Sequence, residues 1–363
     1  MKKIVLVILL ALTTVVAGFF AWVWLSTWHP APEQVADIEC SLDAPVFDHQ
    51  QPLKVMSYNV QFFAGKNYVF YYDLPNNAGP DDRPAAKDIA ATLKGIAGLI
   101  QRHHPDVVLL QEVHDGAAAT DHRDQLAALM DLLPSAMYPC QASAWYWKAD
   151  FIPHPRIMGS VGMKLVTLSR YRLEKPVRYQ LPQPPMDWVS SQFYLKRALL
   201  DVELPTSSGT PWHLINTHFD AFAQGSDTMQ RQALMAAGLL SGYDNARLPF
   251  VFGGDLNLLM PGQYAHLQAS QQYLYDPQTE LEPLLHWPSV PSLAEVLVTP
   301  ASWYTHYPND PDVSGPDRTI DYLFYSRQLE RLNAEVDQSA AASRLSDHLP
   351  LIAVFTDKSK TSK

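Results

Sequence analysis

Residues 248–260 read "LPFVFGGDLNLLM": an apolar run, two glycines, then Asp255 and Asn257 two residues apart. The apolar run reads as a buried strand. On an extended backbone alternate side chains share one side, so the carboxylate and the carboxamide project together from the strand's end. The same stretch also reads as an ordinary strand-to-turn transition in which Asp255 caps a following helix. Partners elsewhere in the chain decide between the two.

The chain has 363 residues, 47% of them apolar, enough to bury a sizeable core. Its formal charge of −10 argues against a general nucleic-acid surface, which needs a basic footprint, although not against a small local one. At the N-terminus, Lys2 and Lys3 precede "IVLVILLALTTVVAGFFAWVWL", uncharged and long enough to cross a bilayer, with tryptophans suited to the interface. The lysines place the N-terminus in the cytoplasm and the rest outside. A cleaved signal peptide competes, because "VVAG" offers small residues near a cut, but the apolar stretch is unusually long for one. We expect an anchor over residues 1–27, a Pro-rich aperiodic linker over 28–52, a folded domain over 53–357 and a polar tail over 358–363. This organisation predicts a single-pass protein of a bacterial-type inner membrane with its domain in the periplasm. Cys40 and Cys140 are the only cysteines. Their compartment permits a disulfide that their spacing does not require, and without a Cys/His cluster a structural zinc site is not expected.

Within the domain, strand-like runs alternate with helical patterns. "LKVMSYNV", "DVVLLQEV", "GMKLVTLS", "YLKRALLDVEL", "WHLINTHF", "PFVFGGD", "TIDYLFYS" and "LPLIAVF" read as strands, and residues 85–102, 124–133 and 226–243 as helices. Ser226 or Asp227 is the expected cap of the third helix. The mixture predicts one α/β domain built on packed sheets.

Polar residues recur where these strands end: Asn59, Glu112, His218, Asp255, Asn257, Asp321, Asp347 and His348. Each alone has an ordinary reading as a turn residue, surface acid, core histidine or cap. Together they form a kit for phosphate-ester hydrolysis, with hard oxygen donors suited to Mg²⁺ and histidines for proton transfer.

With "YNV", "DVVLLQEV", "NTHFD", "GGDLN", "IDYLF" and "SDHLP" in that order, the chain from Leu53 to about Phe355 resembles the endonuclease/exonuclease/phosphatase superfamily, which includes DNase I-like nucleases, inositol polyphosphate phosphatases and neutral sphingomyelinases. The resemblance implies a four-layer α/β/β/α sandwich with the site at one edge of its two central sheets. It implies Mg²⁺ (or Mn²⁺) as cofactor, with Glu112 as direct ligand, Asn59 orienting the ligand or a water, and Asp347 contacting metal or its water. It further implies that Asp255 aligns or deprotonates the attacking water, Asn257 holds a nonbridging phosphate oxygen, Asp321 orients His348, and His218 stabilises the transition state or protonates the leaving oxygen. The general base stays open between Asp255 and His348. Gln61 departs from the second acid or amide that several family members carry there, which leaves the number of metals open. Lys196 and Arg197 read either as contacts to substrate phosphate or as a solvated strand edge.

Substrate choice rests on the anchor, the acidic charge and three aromatic segments expected as loops: "FFAGKNYVFYYD", "AWYWKADFIPHP" and "HWPSVPSLAEVLVTPASWY". Aromatic loops suit a membrane interface, or pack as insertions on the sandwich. The expected function is a membrane-anchored, metal-dependent phosphodiesterase of sphingomyelinase-like type acting on phospholipid. The alternatives are an extracytoplasmic DNase I-like endonuclease acting on nucleic acid, or a tethered binding protein without catalysis.

Overall fold

The computed structural model describes residues 2–358. Met1 and residues 359–363 of the expected polar tail lie outside the described residues. The N-terminal half runs α1 (Lys2–Leu25), β1 (Glu33–Val35), β2 (Asp37–Cys40), β3 (Leu53–Asn59), α2 (Ala86–His103), β4 (Val107–His114), α3 (Gln125–Met130), β5 (Cys140–Ile152), β6 (Gly159–Ser169) and β7 (Glu174–Gln180). There follow α4 (Trp188–Phe193), β8 (Ala198–Leu204), β9 (Trp212–His218), α5 (Thr228–Ala246), β10 (Phe250–Asp255), β11 (Ser289–Val290), α6 (Leu293–Val298), β12 (Asp321–Tyr325), β13 (Leu329–Val336) and β14 (Leu351–Asp357).

Two seven-stranded mixed sheets result, ordered β13-β14-β3-β4-β6-β5-β2 and β1-β7-β8-β9-β10-β12-β11. Between them lies one apolar layer including Val55, Leu109, Leu165, Leu200, Leu214 and Val251. Alternate residues of the same strands point outward: Val108 and Leu110 meet Ile96 and Leu99 of α2, while Ile215 and Phe252 meet Ala236 and Leu240 of α5. Period-2 strands buried on both faces and helices with apolar stripes give the four layers α/β/β/α that the sequence resemblance implied. In each sheet one helix joins a parallel strand pair: α2 carries the chain from β3 to β4, and α5 from β9 to β10.

Gly253 and Gly254 are required by the crowding around β10. A Cβ on Gly254 would lie 1.9 Å from the Thr217 carbonyl of β9, and the residue's φ of +141° suits glycine alone. A Cβ on Gly253 would lie 2.5 Å from the Tyr322 carbonyl of β12. Gly254→Ala is therefore expected to destabilise the fold by about 3 kcal/mol or more, read as a lowered urea midpoint.

Several sequence expectations are corrected. The segment 28–52 is not a free spacer: Glu33–Val35 pairs with β7 in one sheet and Asp37–Cys40 with β5 in the other. The disulfide left open by the sequence is present, with Cys40 and Cys140 opposite each other in that second pairing. The aromatic segment "AWYWKADFIPHP" is largely strand rather than loop, because it alternates across the long β5–β6 pairing. "YLKRALLDVEL" is strand only from Ala198. Asp227 stands at the N-cap of α5 without a side-chain capping bond.

The N-terminal helix α1 is long and apolar enough to span a membrane, with a mean hydropathy of 2.8. No slack separates it from the domain. The Asp150 N–H donates to the Ser26 carbonyl at 2.9 Å, Thr27 bridges to Ala149, and Val23 is fully buried.

Candidate active site

Strand register assembles the site. Asp255 at the end of β10 stands opposite Asp321 of β12 on one side and His218 of β9 on the other. In the facing sheet, Asn59 ends β3, and the β4 strand beside it carries Glu112. Glu112 reaches the site because β4 bulges between Leu110 and Val113, where Glu112 adopts a φ of +60°. Such a bulge inserts an extra residue and re-aims a side chain, here at the cost of a left-handed backbone. Asp347 and His348 enter on the segment leading into β14.

Asp255 is the hub. One of its oxygens, Oδ2, lies 3.0 Å from Asn59 Nδ2, 3.3 Å from His218 Nε2 and 3.4 Å from His348 Nε2, while Oδ1 accepts the Asn257 N–H at 3.0 Å. Asn59 Nδ2 also donates to Glu112 Oε1 at 2.9 Å and so ties the two sheets together. His348 Nδ1 donates to Asp321 Oδ2 at 2.8 Å. Ser346 anchors its segment by donating to the Asn59 carbonyl at 2.8 Å.

Burial and crowded charge make the electrostatics uneven. Burial, then the Asp347 charge, pushes the Glu112 carboxyl up to about 7. Burial, joined by Asp321, pushes Asp255 up to about 6 against the pull of His348. Burial holds His218 well below the ordinary imidazole value, with Arg197 and His348 adding to it. For His348 burial works the same way, but the carboxylates of Asp321 and Asp255 outweigh it and hold the ring well above that value. Neutral His218 and cationic His348 thus flank one carboxylate, a separation of environments that assigns different proton roles to like residues.

The acids ask for a cation. Glu112, His218 and Asp255 each offer a ligand atom within 4.8 Å of the others. Glu112 and Asp347 repel each other in a buried setting. Carboxylate oxygens and a histidine nitrogen at this density fit a divalent cation, since buried carboxylates are stable when paired or when they coordinate a metal.

The expected substrate cations separate. Arg197 is 3% exposed, lies 5.3 Å over the Tyr146 ring, lines the groove that holds the site, and has no hydrogen-bond partner for Nε or Nη1. Lys196 is turned away: its ammonium donates to the Ser191 carbonyl and it does not line the groove. Both residues lie just before β8, and only Arg197 of the pair lines the groove. Gln61 is buried and also does not line the groove.

Sequence reasoning missed Tyr146 and His306. The Tyr146 hydroxyl accepts from the Glu112 N–H at 3.2 Å and lies 3.3 Å from His218 Nδ1. A hydroxyl that accepts from Glu112 is free to donate to His218, which assigns the ring proton to Nε2, facing Asp255. The only available signal was alternation in "AWYWK", which sets Tyr146 on the opposite side from both tryptophans. Tyr146→Phe is expected to lower kcat roughly tenfold with little change in KM, as fits one lost hydrogen bond to a polar centre. His306 lies 3.9 Å from Asp347 and packs its ring 4.6 Å from that of His348.

The arrangement is that of a metal-dependent phosphoesterase. The sequence model of the Endonuclease/Exonuclease/phosphatase family matches residues 56–348, and the chain belongs to that family. Among solved structures, it is similar to an endonuclease/exonuclease/phosphatase from Beutenbergia cavernae DSM 12333, with a TM-score of 0.55 and 21% identity over 85% of this chain and 72% of that one. The human Nocturnin catalytic domain with bound sulfate aligns at a TM-score of 0.50 and 18% identity, over 89% and 97% of the two chains. A family protein from Bacteroides vulgatus aligns at 0.50 and 17%, over 85% and 99%. At these identities the likeness is one of fold. No curated protein matches the sequence.

Proposed function

We propose that this chain is a membrane-anchored phosphodiesterase, dependent on Mg²⁺ or Mn²⁺, whose domain lies on the periplasmic side of a bacterial-type inner membrane and whose substrate is a phospholipid. The observation that carries it is the buried Arg197 guanidinium, with two unpartnered N–H-bearing nitrogens, in the same groove as Glu112, Asp255, His218 and His348. Such a cation matches a single phosphate group.

A divalent ion held by Glu112, with Asp347 and Asn59 in support, would neutralise charge on the phosphate and on the departing oxygen. Asp255, as carboxylate, takes a proton from the attacking water. The water oxygen bonds to phosphorus as the bond from phosphorus to the leaving oxygen breaks, and that oxygen leaves with the electron pair and is protonated from solvent. Arg197, Asn257 and cationic His348 offer N–H groups to the phosphoryl oxygens, where charge develops. His218, neutral and fixed by Tyr146, holds Asp255 in place. Asp321 keeps His348 oriented and charged.

A panel tests this. The purified full chain should hydrolyse bis(p-nitrophenyl) phosphate and vesicle phospholipid with Mg²⁺ or Mn²⁺, and lose both activities in excess chelator. Efficient cutting of DNA with refusal of every lipid would favour the nuclease reading. No turnover of any diester would leave a tethered binding protein.

A further inference from the structure

The groove that contains the catalytic groups is about 1040 Å³ and extends well beyond them. Its far arm is apolar. Trp147 and Ile152 of β5, Val161 of β6 and Val189 and Phe193 of α4 line it. Ala149, Ile152 and Val161 form a small apolar cluster there, apart from the layers that hold the sandwich together.

The outer side of this arm is the seat of α1. Phe20 of α1 meets Trp188 of α4 at 5.3 Å between ring centroids, and Trp22 meets Phe193 at 6.0 Å and Phe151 at 6.3 Å. Phe193 therefore touches the anchor and also lines the groove. The short α4 is the partition between the end of the candidate membrane span and the apolar arm. With α1 in a bilayer, its terminal tryptophans sit at headgroup level, and α4, which borders the arm, lies against Phe20 and Trp22.

Polar features of the groove fit one phosphate rather than a row of them. Of the three arginines that line it, Arg83 pairs with Asp121 and Arg156 with Asp82, which leaves Arg197 beside the catalytic carboxylates. A nucleic-acid strand presents phosphates in series and needs cations in series.

We propose that the apolar arm is a binding site for one hydrocarbon chain of a membrane amphiphile, entered from the leaflet that surrounds the end of α1, with the amphiphile's phosphodiester at Arg197. This rests on the phosphodiesterase reading above and adds recognition of the tail to that of the phosphate.

The test uses the full chain held in amphipol with Mg²⁺, and a series of alkyl p-nitrophenyl phosphates from methyl to octyl below their micellar concentrations. Burial of the chain predicts that kcat/KM rises with length, by up to roughly fourfold per methylene, the value for complete transfer from water. In Val189→Asp the octyl-to-methyl ratio should fall by about tenfold or more, since a carboxylate in the arm opposes an alkyl chain. A flat length profile in the wild-type protein overturns the proposal whether or not the variant folds. So does an unchanged ratio in a folded variant, or cutting of duplex DNA with no preference for longer chains. In those cases hydrolysis of the methyl ester shows that the phosphodiesterase reading survives. If no ester in the series turns over, that reading fails and the tail site falls with it.

Discussion

Glu112→Gln is expected to reduce turnover by about 10³-fold or more while making the metal-free protein more stable. The amide keeps the shape of the side chain but removes the charge that binds a hard cation, and with it the ion's stabilisation of the developing charge. The opposite sign of the stability effect follows from the pKa. A carboxyl raised from 4.5 to about 7 binds its proton more tightly folded than unfolded, so the metal-free fold loses stability as pH rises from about 4.5 through 7. Above pH 7 the variant escapes a penalty on the order of 3 kcal/mol. Thermal unfolding with chelator, and again with saturating Mg²⁺, checks both halves. The wild-type protein should gain stability from the ion, and the variant should gain little. A variant that is less active and also less stable without metal would mean that Glu112 serves the fold.

His348→Ala is expected to cost about 10³-fold in kcat, within the range of a positioned proton-transfer or charge-stabilising side chain. Its pH signature separates a chemical role from a packing one. Because Asp321 and Asp255 hold the ring well above the ordinary imidazole value, the wild-type protein should keep its imidazolium through neutrality and lose activity only as pH rises well beyond it. On the acid side, activity should rise as Asp255 ionises, through about 6. Asp321→Asn replaces the carboxylate that accepts from Nδ1 at 2.8 Å with a neutral amide. It should move the alkaline limb toward neutrality with a smaller loss of kcat, whereas an immobile limb would count against His348 acting as a cation.

Much of this site could be read from residue order because strand ends are punctuated locally. Asn59, Asp255 and Asp321 each terminate or begin an apolar run, and register alone brings Asp255 between Asp321 and His218. What sequence could not show was side-chain direction where a strand is irregular. Glu112 faces the site through a bulge, and Arg197 rather than Lys196 lines the groove from the irregular segment just before β8. Tyr146 was hidden inside an aromatic segment whose composition suits a loop insertion as well as a strand. The strands Glu33–Val35 and Asp37–Cys40 are too short and too polar for periodicity to detect, since they pair at sheet edges and bury little.

That edge pairing has a consequence for the order in which the molecule is made. Residues 33–40 join the outer strands of both sheets, yet their partners lie far downstream, at 140–143 and 177–179. A chain emerging from its N-terminus first presents these strands, and Cys40 as a thiol, long before either partner exists. They must wait, unpaired, while more than a hundred further residues are delivered, a separation that slows closure because the intervening chain has to be ordered first. The clasp between the sheets is thus among the first segments to be made and among the last to lock. A chain arrested before Glu174 would hold α1 but lack the β7 strand against which Glu33–Val35 docks.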